Sequence, residues 1–206
     1  MSKNIAFMDF STVQTFEKKI ADFFGAPFAV AFDSCTHGIE ACLYLTKAKN
    51  ITVPKRTYIS IPFLARKMNI SLEWKDENWQ DYYYLTENII DAAVLWKRNS
   101  FIKGTFMSLS FQYQKHLSLG RGGAVLCSNF EEYEALKKLS YDGRLPNIPW
   151  REQNIDSFGL HYYMTPETAQ LGIDKLDKAI SSIPKEWKVT DWPDLTKMKI
   201  FNVLND

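Results

Sequence analysis

This sequence lacks any imbalance of charge: 25 Lys and Arg stand against 24 Asp and Glu, leaving a formal net charge of +1. So even a balance supplies neither the basic face that nucleic acid selects nor the polybasic attraction to an anionic membrane. Long apolar runs are absent too, and nothing approaches the ~20 residues of a membrane-spanning helix. Met1-Ser2-Lys3-Asn4 carries no apolar core of a secretory leader. Cysteine is sparse, with Cys35, Cys42 and Cys127 only. An odd count at that spacing matches neither a zinc pattern nor a disulfide framework, so no metal is expected and a reducing, cytoplasmic setting is. Repeats and low-complexity segments are missing as well. What the sequence has in quantity is aromatic side chains, 15% of residues, within a 46% hydrophobic total. That suits one globular domain with a sizeable core. The aromatic excess fits a dense core, an interface, or a ring-lined pocket completed by a partner subunit.

Periodicity orders the chain. Val13, Phe16, Ile20 and Phe23 recur at helical spacing behind a Ser11-Thr12-Val13-Gln14 capping box, and Gly25 supplies the stop. Phe28–Phe32 reads as a buried strand, with a helix from Ser34-Cys35-Thr36 to about Leu45 after it. Ile51–Val53 is a strand halted by Pro54, Tyr58–Met68 a helix, and Ile70–Trp74 an alternating strand. The strand–helix alternation predicts an α/β sheet with right-handed crossovers. Short strands are expected at Tyr82–Leu85, Ile89-Ile90, Thr105–Phe111 and Gly123–Cys127, and helices at Phe130–Ser140 and from Thr165-Pro166-Glu167 onward. Residues 1–183 thus form a compact α/β domain. Residues 184–206, with Trp, Pro and Lys but weak periodicity, form a tail that packs on the domain or on a partner subunit.

Three places could carry chemistry. Ser34-Cys35-Thr36 follows a strand and opens a helix, so its hydroxyls and N–H groups could hold a phosphate; a plain helix cap uses the same residues. Asp91 follows Ile89-Ile90 in an apolar setting, where a carboxylate needs a cationic or hydrogen-bonding partner, structural or functional. Lys115 stands in an otherwise uncharged stretch before Gly120-Arg121-Gly122-Gly123; it is either a desolvated amine suited to imine formation or a lysine reaching solvent.

Taken together these pieces have a family pattern. Ser110-Phe111-Gln112-Tyr113-Gln114-Lys115 followed by Gly120-Arg121-Gly122-Gly123 resembles the lysine segment of the DegT/DnrJ/EryC1/StrS family of pyridoxal-phosphate-dependent sugar aminotransferases. Ser34-Cys35-Thr36 resembles that family's phosphate turn, Ile89–Ala93 its cofactor segment, and Thr57–Ser60 the piece that lays a ring on the cofactor. Phe158-Gly159 and Met164-Thr165 are similar to the start of its later helix. The resemblance implies the large domain of the aspartate-aminotransferase type (fold type I): a mostly parallel mixed sheet between helices, with the small C-terminal domain largely missing. It implies pyridoxal 5′-phosphate held as a Schiff base on Lys115, which then acts as general base. Asp91 would keep the ring nitrogen protonated, Tyr58 would stack on the ring, and Ser34, Cys35 (through its backbone), Thr36 and Ser110 would hold the phosphate. His161, at the place of an Asn, would reach a neighbouring subunit's phosphate in a homodimer. The implied reaction moves an amino group from an amino acid, L-glutamate, to a nucleotide-linked keto sugar. Departures from the pattern are Gln112 for a His, Arg121 for an acid, and Val94 for a Gln or His. They keep open a non-catalytic scaffold, or a cofactor enzyme with a different small keto substrate.

Overall fold

The computed structural model describes residues 9–202. Met1–Asn4 and the last residues of the 184–206 tail lie outside the described residues. Helix α1 (Phe10–Phe24) buries Val13, Phe16, Ile20 and Phe23 along one stripe and ends at Gly25 in the left-handed conformation, φ 74°. Its cap is Asp9 rather than the Ser11 expected from the sequence. The Asp9 carboxylate accepts the Ser11 N–H at 2.9 Å, and its full charge suits the positive end of the helix better than a hydroxyl does.

The strand β1 (Phe28–Phe32), helix α2 (Cys35–Leu45), strand β2 (Asn50–Pro54), helix α3 (Ser60–Met68) and strand β3 (Ser71–Lys75) follow in that order. Four further strands are β4 (Tyr83–Tyr84), β5 (Ile89–Asp91), β6 (Phe106–Ser110) and β7 (Gly123–Cys127). Helices α4 (Phe130–Ser140) and α5 (Pro166–Ser181) come next, with a short α6 (Lys199–Asn202) in the C-terminal segment. No helix among the described residues is long and apolar enough to cross a membrane.

The sheet corrects the expectation of mostly parallel strands. Its order is β1-β7-β6-β5-β4, with β1–β7, β6–β7 and β4–β5 antiparallel and only β5–β6 parallel. The cause lies in the connections: β4 returns into β5, and β6 into β7, through links without a helix, and such links favour antiparallel neighbours. Strands β2 and β3 pair in parallel as a separate two-stranded sheet. The β1-α2-β2 succession is therefore no crossover within one sheet. A Thr52 N–H donating to Leu85 O at 2.9 Å brings β2 to the β4 end of the larger sheet.

Because β1 and β6 both run against β7, they are parallel to one another. With β5 they present three carboxyl ends on one edge, the place where open α/β sheets gather ligands. One core holds Phe16, Ile20, Ala31, Leu126 and Leu176 between the sheet, α1 and α5. The other holds Val30, Phe32, Ile39, Leu43, Val125 and Leu136 under α2, α3 and α4. Adjacent residues of β1 and β7 serve opposite cores, so both strands are buried on both faces.

One polar pair lies among these apolar layers. Lys137 Nζ donates to Glu17 Oε1 at 2.8 Å, and that oxygen also accepts the Ala31 N–H of edge strand β1 at 2.7 Å. Burial pushes the Glu17 carboxyl up from its usual range, and the Lys137 charge opposes that push. Lys137→Met would strand a buried carboxylate, so the unfolding free energy from urea titration should fall by about 3–5 kcal/mol. A loss below about 1 kcal/mol would show that water already solvates the pair.

Candidate active site

Where β1, β5 and β6 end, a cavity of about 190 Å³ opens. Ser34, Cys35 and Thr36 line it from the start of α2, Tyr58 from the approach to α3, and Asp91 and Ser110 from the ends of β5 and β6. Lys115 enters from the loop between β6 and β7. Seven of the eight residues singled out from the sequence thus share one cavity. The eighth, His161, does not line it. It is exposed, bridges Tyr141 through the backbone, and bonds Asp142 Oδ2 through Nδ1 at 2.9 Å. Tyr58 is 60% exposed, at the cavity's open side rather than in its depth.

The start of α2 brings hydroxyls and helix-start N–H groups to the cavity. Ser34 Oγ accepts the His37 N–H at 3.2 Å, while the N–H groups of Cys35 and Thr36 precede the first intrahelical bond. Thr36 Oγ1 lies 2.8 Å from Ser60 Oγ, which adds a second hydroxyl beside the turn. Burial pushes the Cys35 thiol well above its ordinary value, so it is a neutral group there. Close behind stands Gly123: a Cβ at that position would come 2.4 Å from Cys35 N. Only glycine lets β7 approach the turn so nearly.

The lysine loop is pinned at both sides. Phe111 N–H donates to Gly122 O at 2.9 Å and Tyr113 N–H to Gly120 O at 3.0 Å. Gly120 and Gly122 have φ of 82° and 150°, conformations that a side chain resists. Lys115 N–H then closes a turn onto Gln112 O at 2.8 Å. Burial holds the Lys115 amine below the usual lysine range, against the opposing influence of Cys35 and Asp91. A larger neutral fraction makes this amine a better nucleophile and base than a surface lysine. Arg121, in the same loop, also lines the cavity and pairs with Asp33 at 2.9 Å.

Asp91 is 4% exposed. Its Oδ2 accepts the Tyr83 hydroxyl at 2.5 Å and its Oδ1 the Ala93 N–H at 3.0 Å; Thr57 Oγ1 lies 2.6 Å from the same Tyr83 oxygen. Burial pushes the carboxyl up, with these donors and the Lys115 charge pulling the other way. Thr57, which precedes Tyr58 in the ring-laying piece, lines the cavity too, as do Tyr83, Trp79, Trp187 and Trp192, none of which was singled out from the sequence. For Tyr83 a signal existed, since it pairs directly with Asp91 across the β4–β5 hairpin. For the tryptophans, contacts at long sequence separation left none beyond their density.

A carboxyl whose pKa is raised on folding contributes most below the unfolded-state value, and that contribution is lost as pH rises through the folded-state value. The ligand-free protein carries this cost at neutral pH. Asp91→Asn should therefore raise the thermal midpoint at pH 7 and flatten the fall in stability as pH climbs from about 4. A lower midpoint at pH 7 would show that the Asp91 hydrogen bonds outweigh its desolvation.

Comparison with known proteins yields one family model, the DegT/DnrJ/EryC1/StrS aminotransferase family, matching residues 2–102 and 102–190. No curated protein matches the sequence significantly. Among solved structures, a Streptococcus pneumoniae protein assigned as a sugar aminotransferase, in its PLP form, superposes with a TM-score of 0.67 at 17% identity, over 82% of this chain and 60% of that one. The sugar aminotransferase CalS13 from Micromonospora echinospora gives a TM-score of 0.65 at 13% identity, over 82% and 60%. A 3-amino-5-hydroxybenzoic acid synthase gives 0.65 at 18%, over 82% and 56%. At such identities the likeness establishes the fold, that of fold type I aminotransferases, and the chain spans about three fifths of the length of these structures. The family model covers nearly the whole chain, and on that ground the protein belongs to the DegT/DnrJ/EryC1/StrS aminotransferase family, whose members are pyridoxal-phosphate-dependent.

Proposed function

We propose that this protein is an aminotransferase that binds pyridoxal 5′-phosphate through Lys115 and moves an amino group from L-glutamate to a nucleotide-linked keto sugar. The observation that carries this reading is the meeting, in one cavity, of a lysine amine that burial holds below the usual lysine range and a buried carboxyl group, beside a hydroxyl-rich helix start. The donor set fits the cofactor. Ser34, Thr36 and Ser110 offer hydroxyls, and Cys35 and Thr36 offer N–H groups, to a phosphate. Asp91 offers the carboxylate that a ring nitrogen requires, and Gly123 keeps the turn free of a Cβ. When bound, pyridoxal phosphate supplies a carbonyl for the lysine amine and a ring that takes up electrons released at the substrate carbon.

The chain's own groups have distinct tasks. Lys115 Nζ would hold the cofactor and would serve as the base that holds and moves the proton at the reacting carbon. Asp91 keeps the ring nitrogen protonated, and Tyr83 with Ala93 N–H fix the carboxylate's direction. Tyr58, at the open side, is positioned to cover a ring face. His161 stands exposed on the surface, available to a second copy of the chain, and we assign the active form as a homodimer on that basis. The free, buried thiols of Cys35, Cys42 and Cys127 suit a reducing cytoplasmic setting. Among the described residues no cluster of His, Cys, Asp and Glu could hold a metal.

The test is the visible absorbance of the protein with added pyridoxal phosphate, before and after L-glutamate. Wild type should develop a band that glutamate converts to the pyridoxamine form, and borohydride should trap the cofactor on Lys115. Lys115→Ala should keep its fold and lose the trapped adduct entirely. A reducible adduct persisting at the same stoichiometry in that variant would overturn the assignment of Lys115.

A further inference from the structure

The segment that follows α5 folds back over the amine that this reading makes reactive. His116, next to Lys115, places Nε2 2.7 Å from Ala179 O near the end of α5, and its Nδ1 accepts the Lys185 N–H at 3.4 Å. Lys185 Nζ donates to Gln114 O at 3.2 Å. These bonds bring the chain after Pro184 directly onto the lysine loop. Two residues later the Trp187 indole lies beneath Lys115 Nζ, 4.5 Å from the ring centroid. Trp187 in turn stacks on Trp192 at 5.4 Å and 25° between planes, and Trp192 meets Trp79 at 4.9 Å. The backbone behind them is anchored: Arg56 Nη1 donates to Trp192 O at 3.0 Å and Leu195 N–H to Lys55 O at 2.8 Å.

The row of indoles has a consequence for the cavity. At about 190 Å³ it is smaller than the ~300–1,000 Å³ of most small-molecule sites. An ammonium resting on an indole face is stabilised there by the ring's quadrupole and shielded from water on that side. Lys185 Nζ lies over the same ring at 3.9 Å, so the indole serves both ammonium groups, and in this rotamer a group bonded to Lys115 Nζ starts beside that ring.

We propose that Pro184–Trp192 is a built-in cover for the Lys115 amine and that Trp187 is its positioning residue. The indole shields Nζ in the free protein and serves as the wall against which a planar or apolar-faced group attached to Nζ rests. The Trp192 and Trp79 rings hold that wall from behind. Admission of a keto substrate larger than the cavity then requires this cover to swing away, so Trp187 limits which substrates reach the amine. The inference rests on Lys115 being the reacting amine, but its test does not need the cofactor.

The full-length protein is treated with formaldehyde and cyanoborohydride, and methylation of each lysine is followed by mass spectrometry. In wild type, Lys115 should react more slowly than the exposed Lys97. Trp187→Ala should accelerate Lys115 about tenfold, the scale of a desolvated cation–π contact, and leave Lys97 unchanged. Trp187→Phe, which restores a ring, should return the Lys115 rate towards that of wild type; a merely structural role would not give this rescue. Equal Lys115 rates in the three proteins would overturn the proposal. If Trp187→Ala loses its fold by circular dichroism, Trp192→Ala removes the supporting ring instead, with the same expected direction and the same overturning result. A wild-type protein that forms no reducible adduct with pyridoxal phosphate would sink the aminotransferase reading, and the methylation rates would still decide the role of Trp187.

Discussion

The approach of Gly123 to the Cys35 turn is the constraint on which the rest of the site depends. An added Cβ would lie 2.4 Å from Cys35 N and 2.7 Å from its Cα, both backbone atoms that no rotamer change can move. The contact lets β7 insert between β1 and β6, with Val30 opposite Val125 and Leu109 opposite Ala124. That insertion makes β1 and β6 parallel and sends their carboxyl ends to one edge. It also fixes where the β6–β7 loop must depart, and hence where Lys115 stands relative to the start of α2. Packing at one glycine thereby sets the distance between the start of α2 and the amine.

Electrostatics at this edge work against stability and in favour of chemistry. Asp91 and Lys115 are each pushed towards neutrality, chiefly by burial, and each partly restores the other's charge. Tyr83 and Ala93 N–H satisfy lone pairs of Asp91 that would otherwise be stranded, at net values of about 1.5–3 kcal/mol for bonds to a charged group. Strongly perturbed ionisable groups that converge on a cavity mark functional sites more often than chance allows. Glu17 and Lys137 are the useful contrast within the same protein. They form a buried ion pair at 2.8 Å, line no described cavity and tie α1, α4 and β1 together. A buried carboxyl raised by burial is common to both places, as Glu17 and Asp91 show; access to a cavity is what separates them.

Much of this was legible in the sequence because it is local. Helical spacing, the Ser34 and Thr165 caps and the glycine stop after α1 depend on neighbours within a turn, and those elements formed where the pattern placed them. The Lys115 loop was legible through spacing, since glycines at fixed offsets are what its closing turns require. Strand direction was not. Alternating strands and helices fit a parallel sheet, and only the lengths of the β4–β5 and β6–β7 links, with no helix in either, carried the antiparallel answer. The Asp9 cap was missed for a similar reason: two capping residues stood two positions apart, and charge decided between them. Tyr83 needed the hairpin register to bring it onto Asp91.

The tryptophans are the least legible part, and they bear most on how the pocket is walled. Trp79 comes from the loop after β3, and Trp187 and Trp192 from the segment after α5, more than a hundred residues later. No local pattern can announce a contact of that separation, because the closing entropy is met by burial that only the folded chain provides. The segment itself is mostly exposed, with weak periodicity and few buried side chains apart from Leu195 and Phe201. Its attachment therefore rests on the stacked rings and a handful of backbone bonds, the composition of elements that open at low cost. The rings behind Trp187 reach the second core, since Trp79 is one of its buried members and Trp192 packs against it, so the segment is seated on that core's margin. The start of α2 and the Asp91 carboxyl thus stand on helix and strand ends, whereas the amine is covered by a lightly attached segment.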